Sequence, residues 1–456
     1  MSHGSSNTAA GPNNQQNVGS SGFSLKMFLV CLLPVSLLLG TNFPFMSIGS
    51  RTLYVGTNEF VIILLLLASW GKHPFRNTIR ATSNRVWWSI ICFSFVLPLS
   101  VFAHVLKTET VPGPAVYVEV VRWFEYLCVL IIVTTLVRTE KELKQILGVM
   151  FVCFCILIAY SIYQSTTFEI MGERAYGLFV SAADREGVSN SNPNVLGAAL
   201  MGSSLFFLAF ASNTRTKRRN WLYLVLVLSL AALALTLSRS AAIAFLAGAM
   251  TMLLYRGISK VRLVGGIALS VVVLASLLYA SQSIRERLTN SLDLRSQTSE
   301  ALSAMERIEE WQIVLEQFPK NLWLGVGYGD FERSYGFLTP DNHYLETLAT
   351  TGVVGLGFLL LMFYRIFARV HKSVSKGDPR LLAFRVGYLS SFVGLLVASL
   401  FAGLPTNPRL AGLFWLMTAL ALQSVRFEER LKPAKQKAGL AAWFIPKHPL
   451  KMPSTP

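Results

Sequence analysis

Apolar runs of roughly bilayer-crossing length recur along the chain, and polar or basic stretches close them off. They fall at about Leu25–Gly40, Leu53–Trp70, Val86–Leu106, Val116–Val137, Gln145–Gln164, Val195–Ser212, Trp221–Leu237, Ala241–Tyr255, Leu263–Ser281, His343–Arg365, Leu381–Gly403 and Ala411–Ser424. The pattern predicts an all-α polytopic membrane protein with about twelve transmembrane helices. Two polar intervals are long, 165–194 and 282–342. Within the second, Leu302, Met305, Ile308, Trp311 and Leu315 keep helical spacing, with Glu300, Glu306, Glu310 and Glu316 among them. This predicts an amphipathic helix lying on or near the membrane surface. The chain divides into a Ser-, Asn-, Gln- and Gly-rich tail over 1–24, expected to be disordered, a bundle over 25–424 and a basic tail over 425–456. The first tail lacks a basic n-region, so the first apolar segment is expected to stay rather than be cleaved.

Composition agrees with a bilayer as solvent: 53% of the 456 residues are hydrophobic and 14% charged, against about 25% charged in soluble domains. The net charge of +17 has a topological explanation. Alternate loops hold Arg76, Arg218, Lys260, Lys372 and Lys432, whereas Thr41–Thr52, Lys107–Ala115 and Leu404–Leu410 hold one Lys or Arg each. The positive-inside rule puts both termini in the cytoplasm, and it puts 165–194, Arg239 and 282–342 outside. With the charge explained and no nucleic-acid motif present, nucleic acid is not an expected partner. Cys31, Cys92, Cys128, Cys153 and Cys155 all sit in apolar runs, which argues against a disulfide framework or a cysteine metal site.

The outer face gathers the candidate chemistry. His343 stands where the long loop enters an apolar helix, a place for a proton acceptor; a structural role at the helix start is the alternative. It follows the run Gly325-Val326-Gly327-Tyr328-Gly329, whose glycines permit close approach of backbone to a ligand. Arg239 interrupts two apolar helices within Ser238-Arg239-Ser240; it either snorkels to the interface or grips an anion. Arg307 on the amphipathic helix either pairs with Glu306 or Glu310 or binds an anion. Arg174 is a further anion ligand candidate, and Asn192-Pro193-Asn194 reads as a turn into a helix with Asn194 as N-cap. Glu119, Arg122 and Glu125 are spaced by three on one helical face, either as a mutually paired cluster or as a polar wall. No metal-ligand spacing and no Gly-x-Ser-x-Gly elbow is present, so neither metal nor cofactor is expected. One base among several arginines suits transfer from a diphosphate leaving group. A lipid transporter is the reading from another class; its marks, internal repeats and broken helices, do not stand out.

The run from Pro319 to Gly357, with Gly325-Val326-Gly327-Tyr328-Gly329, Asn342-His343-Tyr344-Leu345 and Gly352-Val353-Val354-Gly355, resembles the signature of the O-antigen ligase and polymerase superfamily. Ser238-Arg239-Ser240, Arg307 with Trp311, and the stretch from Arg174 to Asn194 resemble its other motifs, although the insert within that last stretch is long. The resemblance implies a GT-C-like membrane glycosyltransferase of the bacterial inner membrane. It implies a glycan donor linked to undecaprenyl diphosphate and an acceptor that is lipid A–core or a second lipid-linked glycan. It implies that His343 activates the acceptor hydroxyl, that Arg239, Arg307 and Arg174 hold the diphosphate, and that Asn342, Tyr344, Gly325, Gly327 and Asn194 support them. Ligation to core is favoured over polymerisation by the single sizeable loop and the twelve segments.

Overall fold

The computed structural model describes residues 25–40, 42–48, 51–167, 193–255, 259–280, 299–336, 340–374, 378–403 and 407–444. These residues are helical where ordered into elements, apart from one antiparallel hairpin of Asn42–Ile48 with Arg51–Gly56. A helix overlies each of the twelve apolar stretches. Seven of the described helices are long and apolar enough to cross a membrane by length and composition: Asn84–Thr108, Glu140–Gln164, Pro193–Asn213, Arg218–Leu235, His343–His371, Pro379–Ala398 and Pro408–Arg430. Leu25–Leu39, Thr57–Ser69 and Arg239–Leu253 are shorter apolar helices. Pro114–Leu136 has the length but carries Glu119, Arg122 and Glu125 in its first half.

The elements depart from the apolar pattern in three places. The second helix starts at Thr57 rather than near Leu53, because Thr52, Leu53, Tyr54 and Val55 pair as a strand with 42–48, as suits β-branched and aromatic side chains. The basic stretch after Trp70 contains a helix, Pro74–Thr82, with Pro at its first turn, where no N–H is needed. It buries Thr78, whose hydroxyl shares a hydrogen bond of 2.8 Å with that of Thr134. The last helix continues past Ser424 to Phe444, through the expected basic tail. Two of the charges there have partners: Glu428 pairs with the buried Arg385, and Glu429 takes a two-pronged contact from Arg369 at 2.7 and 2.8 Å.

At the centre, Pro193–Asn213 is buried nearly all round, packed on Arg239–Leu253 and Pro379–Ala398. Glycines make the close approach possible. Gly387 faces Phe206, Gly394 faces Met201, Gly248 faces Leu205, and Gly197 faces Ser238 and Ala241. Small residues at helix crossings are the usual substitute for a hydrophobic drive within lipid. Many of the described ion pairs collect at one end of the bundle. Lys144 meets Asp378 at 2.7 Å and Glu140 at 2.5 Å. Arg385 donates to the Ser373 carbonyl at 2.8 Å and to the Ser424 hydroxyl at 3.1 Å, besides its pairing with Glu428. The start of Arg239–Leu253, the start of Pro193–Asn213 and the end of Pro379–Ala398 meet at the other end, where the helix beginning at His343 joins them.

Candidate active site

The helix from His343 to His371 is broken at Gly352, whose φ of 68° and ψ of −170° lie in a region that only glycine adopts readily. A break inside an apolar helix frees backbone groups that lipid cannot satisfy. Here the preceding loop takes them up. Val326 N–H donates to the Ala349 carbonyl at 2.9 Å and Gly327 N–H to that of Thr350 at 3.0 Å. In return, Val353 N–H donates to Leu322 at 2.9 Å and Val354 N–H to Trp323 at 3.3 Å. A Cβ on Gly325, φ 68°, meets the Thr350 backbone at 2.3 Å. Gly327, φ 97°, lies against Val101 and His104, and Tyr328 N–H donates to the Ser100 hydroxyl at 3.1 Å. The glycine run therefore brings backbone close to the protein's own broken helix, rather than to a ligand as the sequence reading expects. The break is likewise a feature that the apolar pattern hides, since Gly352 is one glycine among several in that segment.

His343 opens the first half of this broken helix. Asn342 caps it, its side-chain oxygen accepting from Tyr344 N–H at 3.0 Å and Leu345 N–H at 3.1 Å. His343 N–H donates to the Ser399 carbonyl at 3.0 Å, and the Tyr344 hydroxyl donates to Leu396 at 2.9 Å. These contacts tie the helix start to the end of Pro379–Ala398. The His343 ring lines a narrow cleft with Phe93, Trp123, Tyr328, Thr347 and Phe414. Its Nδ1 lies 3.8 Å from Glu346 Oε2, and both atoms are buried without a hydrogen bond. Replacing Asn342 by Ala is expected to cost about 1 kcal/mol through loss of the cap, readable as a lower midpoint of thermal unfolding in detergent.

Arg307 reaches the same turn from Ser299–Gln317, the helix that the loop's periodicity predicts. Its Nε and Nη2 donate to Asp341 Oδ2 at 2.9 and 2.7 Å. Its partner is thus Asp341, two residues before His343, and not Glu306 or Glu310. Trp311, one turn on, donates its indole N–H to the Pro340 carbonyl at 2.6 Å. Burial, with Asp341 adding to it, pushes the nearby Glu310 carboxyl above its ordinary value, while Arg307 pulls the other way. Arg307→Lys is expected to lose the two-pronged grip and to loosen the 340–343 turn, measured as faster amide exchange at Asn342 and His343.

Arg239 is exposed and forms no hydrogen bond or ion pair with any described residue. It is the first residue of its helix, after the N-cap Ser238. The Ser238 hydroxyl donates to Asn194 Oδ1 at 2.9 Å and shares a contact of 3.1 Å with the Ser240 hydroxyl. Asn194 sits inside the first turn that Pro193 opens, so it braces the Ser238 turn instead of serving as the N-cap. Arg239 and His343 lie at one end of the bundle without a described contact between them. Arg174 lies outside the described residues, as does most of 165–194.

Sequence reasoning missed Glu346 and Asp341 as partners, although Glu346 lies three residues after His343 on one helical face. It also set Glu119 and Arg122 apart from the histidine. They form a pair at 2.9 Å, and Glu119 stands within electrostatic range of Glu346, with Tyr328 close to both. Glu125 faces elsewhere and accepts from Asn58 at 3.2 Å. The three charges of Pro114–Leu136 thus serve two places.

Residues 224–360 match the family profile described as O-antigen ligase. The matched segment contains Arg239, Arg307, the glycine loop, the Gly352 break and His343. This segment, less than a third of the chain, is similar to the O-antigen ligase family. Members of that family are membrane enzymes of the glycosyltransferase kind that use lipid-linked glycans, and the seven described helices apolar enough to cross a membrane agree with such a setting. No curated protein matches the chain.

Proposed function

We propose that this protein transfers a glycan from undecaprenyl diphosphate to an acceptor hydroxyl at the periplasmic face of the bacterial inner membrane, and that the acceptor is lipid A–core. The observation that carries the reading is the His343–Glu346 pair: a buried imidazole nitrogen 3.8 Å from a buried carboxylate oxygen, neither hydrogen-bonded, on the wall of a cleft within the matched segment. A carboxylate facing Nδ1 favours the tautomer with the proton there and leaves Nε2 as the accepting atom. In the reaction Nε2 takes the proton of the acceptor hydroxyl as its oxygen bonds to the anomeric carbon. The bond from that carbon to the diphosphate breaks, and the leaving charge passes to arginines. Arg239, exposed and without a partner among the described residues, is assigned to the diphosphate, and so is Arg174. Arg307 shares that role and also fixes the turn before the base, through Asp341. The reaction proceeds without a metal or cofactor, in a GT-C-like bundle of twelve spans with both termini cytoplasmic. The concentration of described basic pairs at the end opposite His343 supports that orientation.

The Gly352 break is the one observation that favours a transporter. Broken helices that serve transport present free carbonyls to a substrate or ion. Here the loop satisfies the carbonyls of Ala349 and Thr350, which supports the enzyme reading instead. The test is to supply the purified protein with undecaprenyl-diphosphate-linked glycan, with and without lipid A–core. Glycosylated core is the expected product. Lengthening of the glycan on its lipid carrier, with core untouched, would make the protein a polymerase of the same superfamily.

A further inference from the structure

Away from His343, a groove opens between the helices Glu140–Thr167, Pro193–Asn213 and Pro379–Ala398. It is half open and has a cavity volume of roughly 250 Å³, with Phe151, Phe154, Phe207 and Phe210 on its walls and Lys144 and Arg380 at its rim. Leu222 also lines it, and Arg218 stands four residues earlier on the same helix face. The Arg380 guanidinium makes no hydrogen bond or ion pair with any described residue, while Lys144 is shared between Asp378 and Glu140. Phe154, Phe206 and Met417 also line a second, smaller apolar cavity of about 60 Å³. Gly148 lies on the groove wall, and a Cβ placed there meets nothing within 4 Å.

We propose that this groove is a binding site for an anionic diacyl phospholipid, with the acyl chains between the phenylalanines and the phosphate on Arg380, assisted by Arg218. Neither the catalytic proposal nor any residue near His343 enters this inference. The groove joins charge complementarity to shape. An apolar slot with a guanidinium at its mouth that no described residue engages selects a lipid whose headgroup is negative. A zwitterionic lipid gains the slot but repels the cation with its own amine. Arginine, being planar and weakly hydrated, suits a phosphate at an interface.

The test is native mass spectrometry of the full-length protein equilibrated with equal amounts of phosphatidylglycerol and phosphatidylethanolamine. Wild type is expected to retain phosphatidylglycerol preferentially. Arg380→Ala is expected to cut that preference by about fivefold, the scale of one basic side chain near a lipid surface. Gly148→Phe is expected to reduce retention of both lipids by filling the slot. Should that variant not fold, Arg380→Ala decides alone. Equal retention of the two lipids by wild type, or an unchanged preference in Arg380→Ala, would overturn the proposal. So would displacement of the retained lipid by undecaprenyl phosphate, or a Gly148→Phe variant that changes oligomeric state and leaves lipid retention intact.

Discussion

Replacing His343 by Ala is expected to lower glycan transfer by at least about 100-fold, the usual scale for a general base, while leaving the fold in place. No hydrogen bond joins the side chain to another described residue; the contacts that fix this helix start come from its backbone N–H on Ser399 and from the Asn342 cap. The loss is expected in kcat, with little change in KM for donor, because the base acts on the acceptor hydroxyl in the transition state. Glu346→Gln is expected to lower kcat less than His343→Ala, because the carboxylate 3.8 Å from Nδ1 orients the ring and its tautomer without itself taking the proton. A Glu346→Gln variant equal to wild type would remove Glu346 from the mechanism.

The second large effect is structural. Gly352→Val is expected to destabilise the protein by about 3 kcal/mol or more and to abolish activity together with the fold. A Cβ at this position meets the Trp323 carbonyl oxygen at 2.2 Å and Leu324 N at 2.5 Å, both backbone atoms with no freedom to rotate away. The side chain also has to adopt φ 68°, and the four hydrogen bonds across the break are lost if the helix straightens. Gly357→Ala is the control. It lies in the same helix, its Cβ meets nothing within 4 Å, and the exchange is expected to be neutral or slightly stabilising. Thermal unfolding of the two variants in one detergent separates the cases; equal midpoints would mean that the break is not maintained by glycine.

Much of this arrangement is legible in the sequence because lipid imposes a coarse code. Apolar runs reported where the helices lie, and the spacing from Leu302 to Leu315 reported the loop helix. The loop helix holding Arg307 and the turn holding His343 were readable as motifs, and the structure joins them through Asp341 and Trp311. What stayed hidden depends on which backbone atoms meet across distant segments. The hairpin at 42–56 hid within a run whose aromatic and β-branched residues also suit an apolar helix. The role of the glycine run could not be read without knowing that Gly352 breaks its helix, since both segments are needed to complete the hydrogen bonds. Glu119 and Arg122 lie more than 200 residues from Glu346 in sequence, so only packing reveals that they share its surroundings. The final helix outran its apolar stretch because Arg385 and Arg369, on other helices, neutralise Glu428 and Glu429.

The most direct test of the central claim places wild type and His343→Ala in separate liposomes with labelled undecaprenyl-diphosphate-linked glycan and lipid A–core, and follows both label on core and label crossing the bilayer. The account expects glycosylated core from wild type, its loss by at least about 100-fold in the variant, and no His343-dependent movement of label across the membrane. Label that crosses equally well with both proteins, with no glycosylated core and no lengthened glycan in either, would contradict the assignment of His343 as the base and leave a transporter in its place.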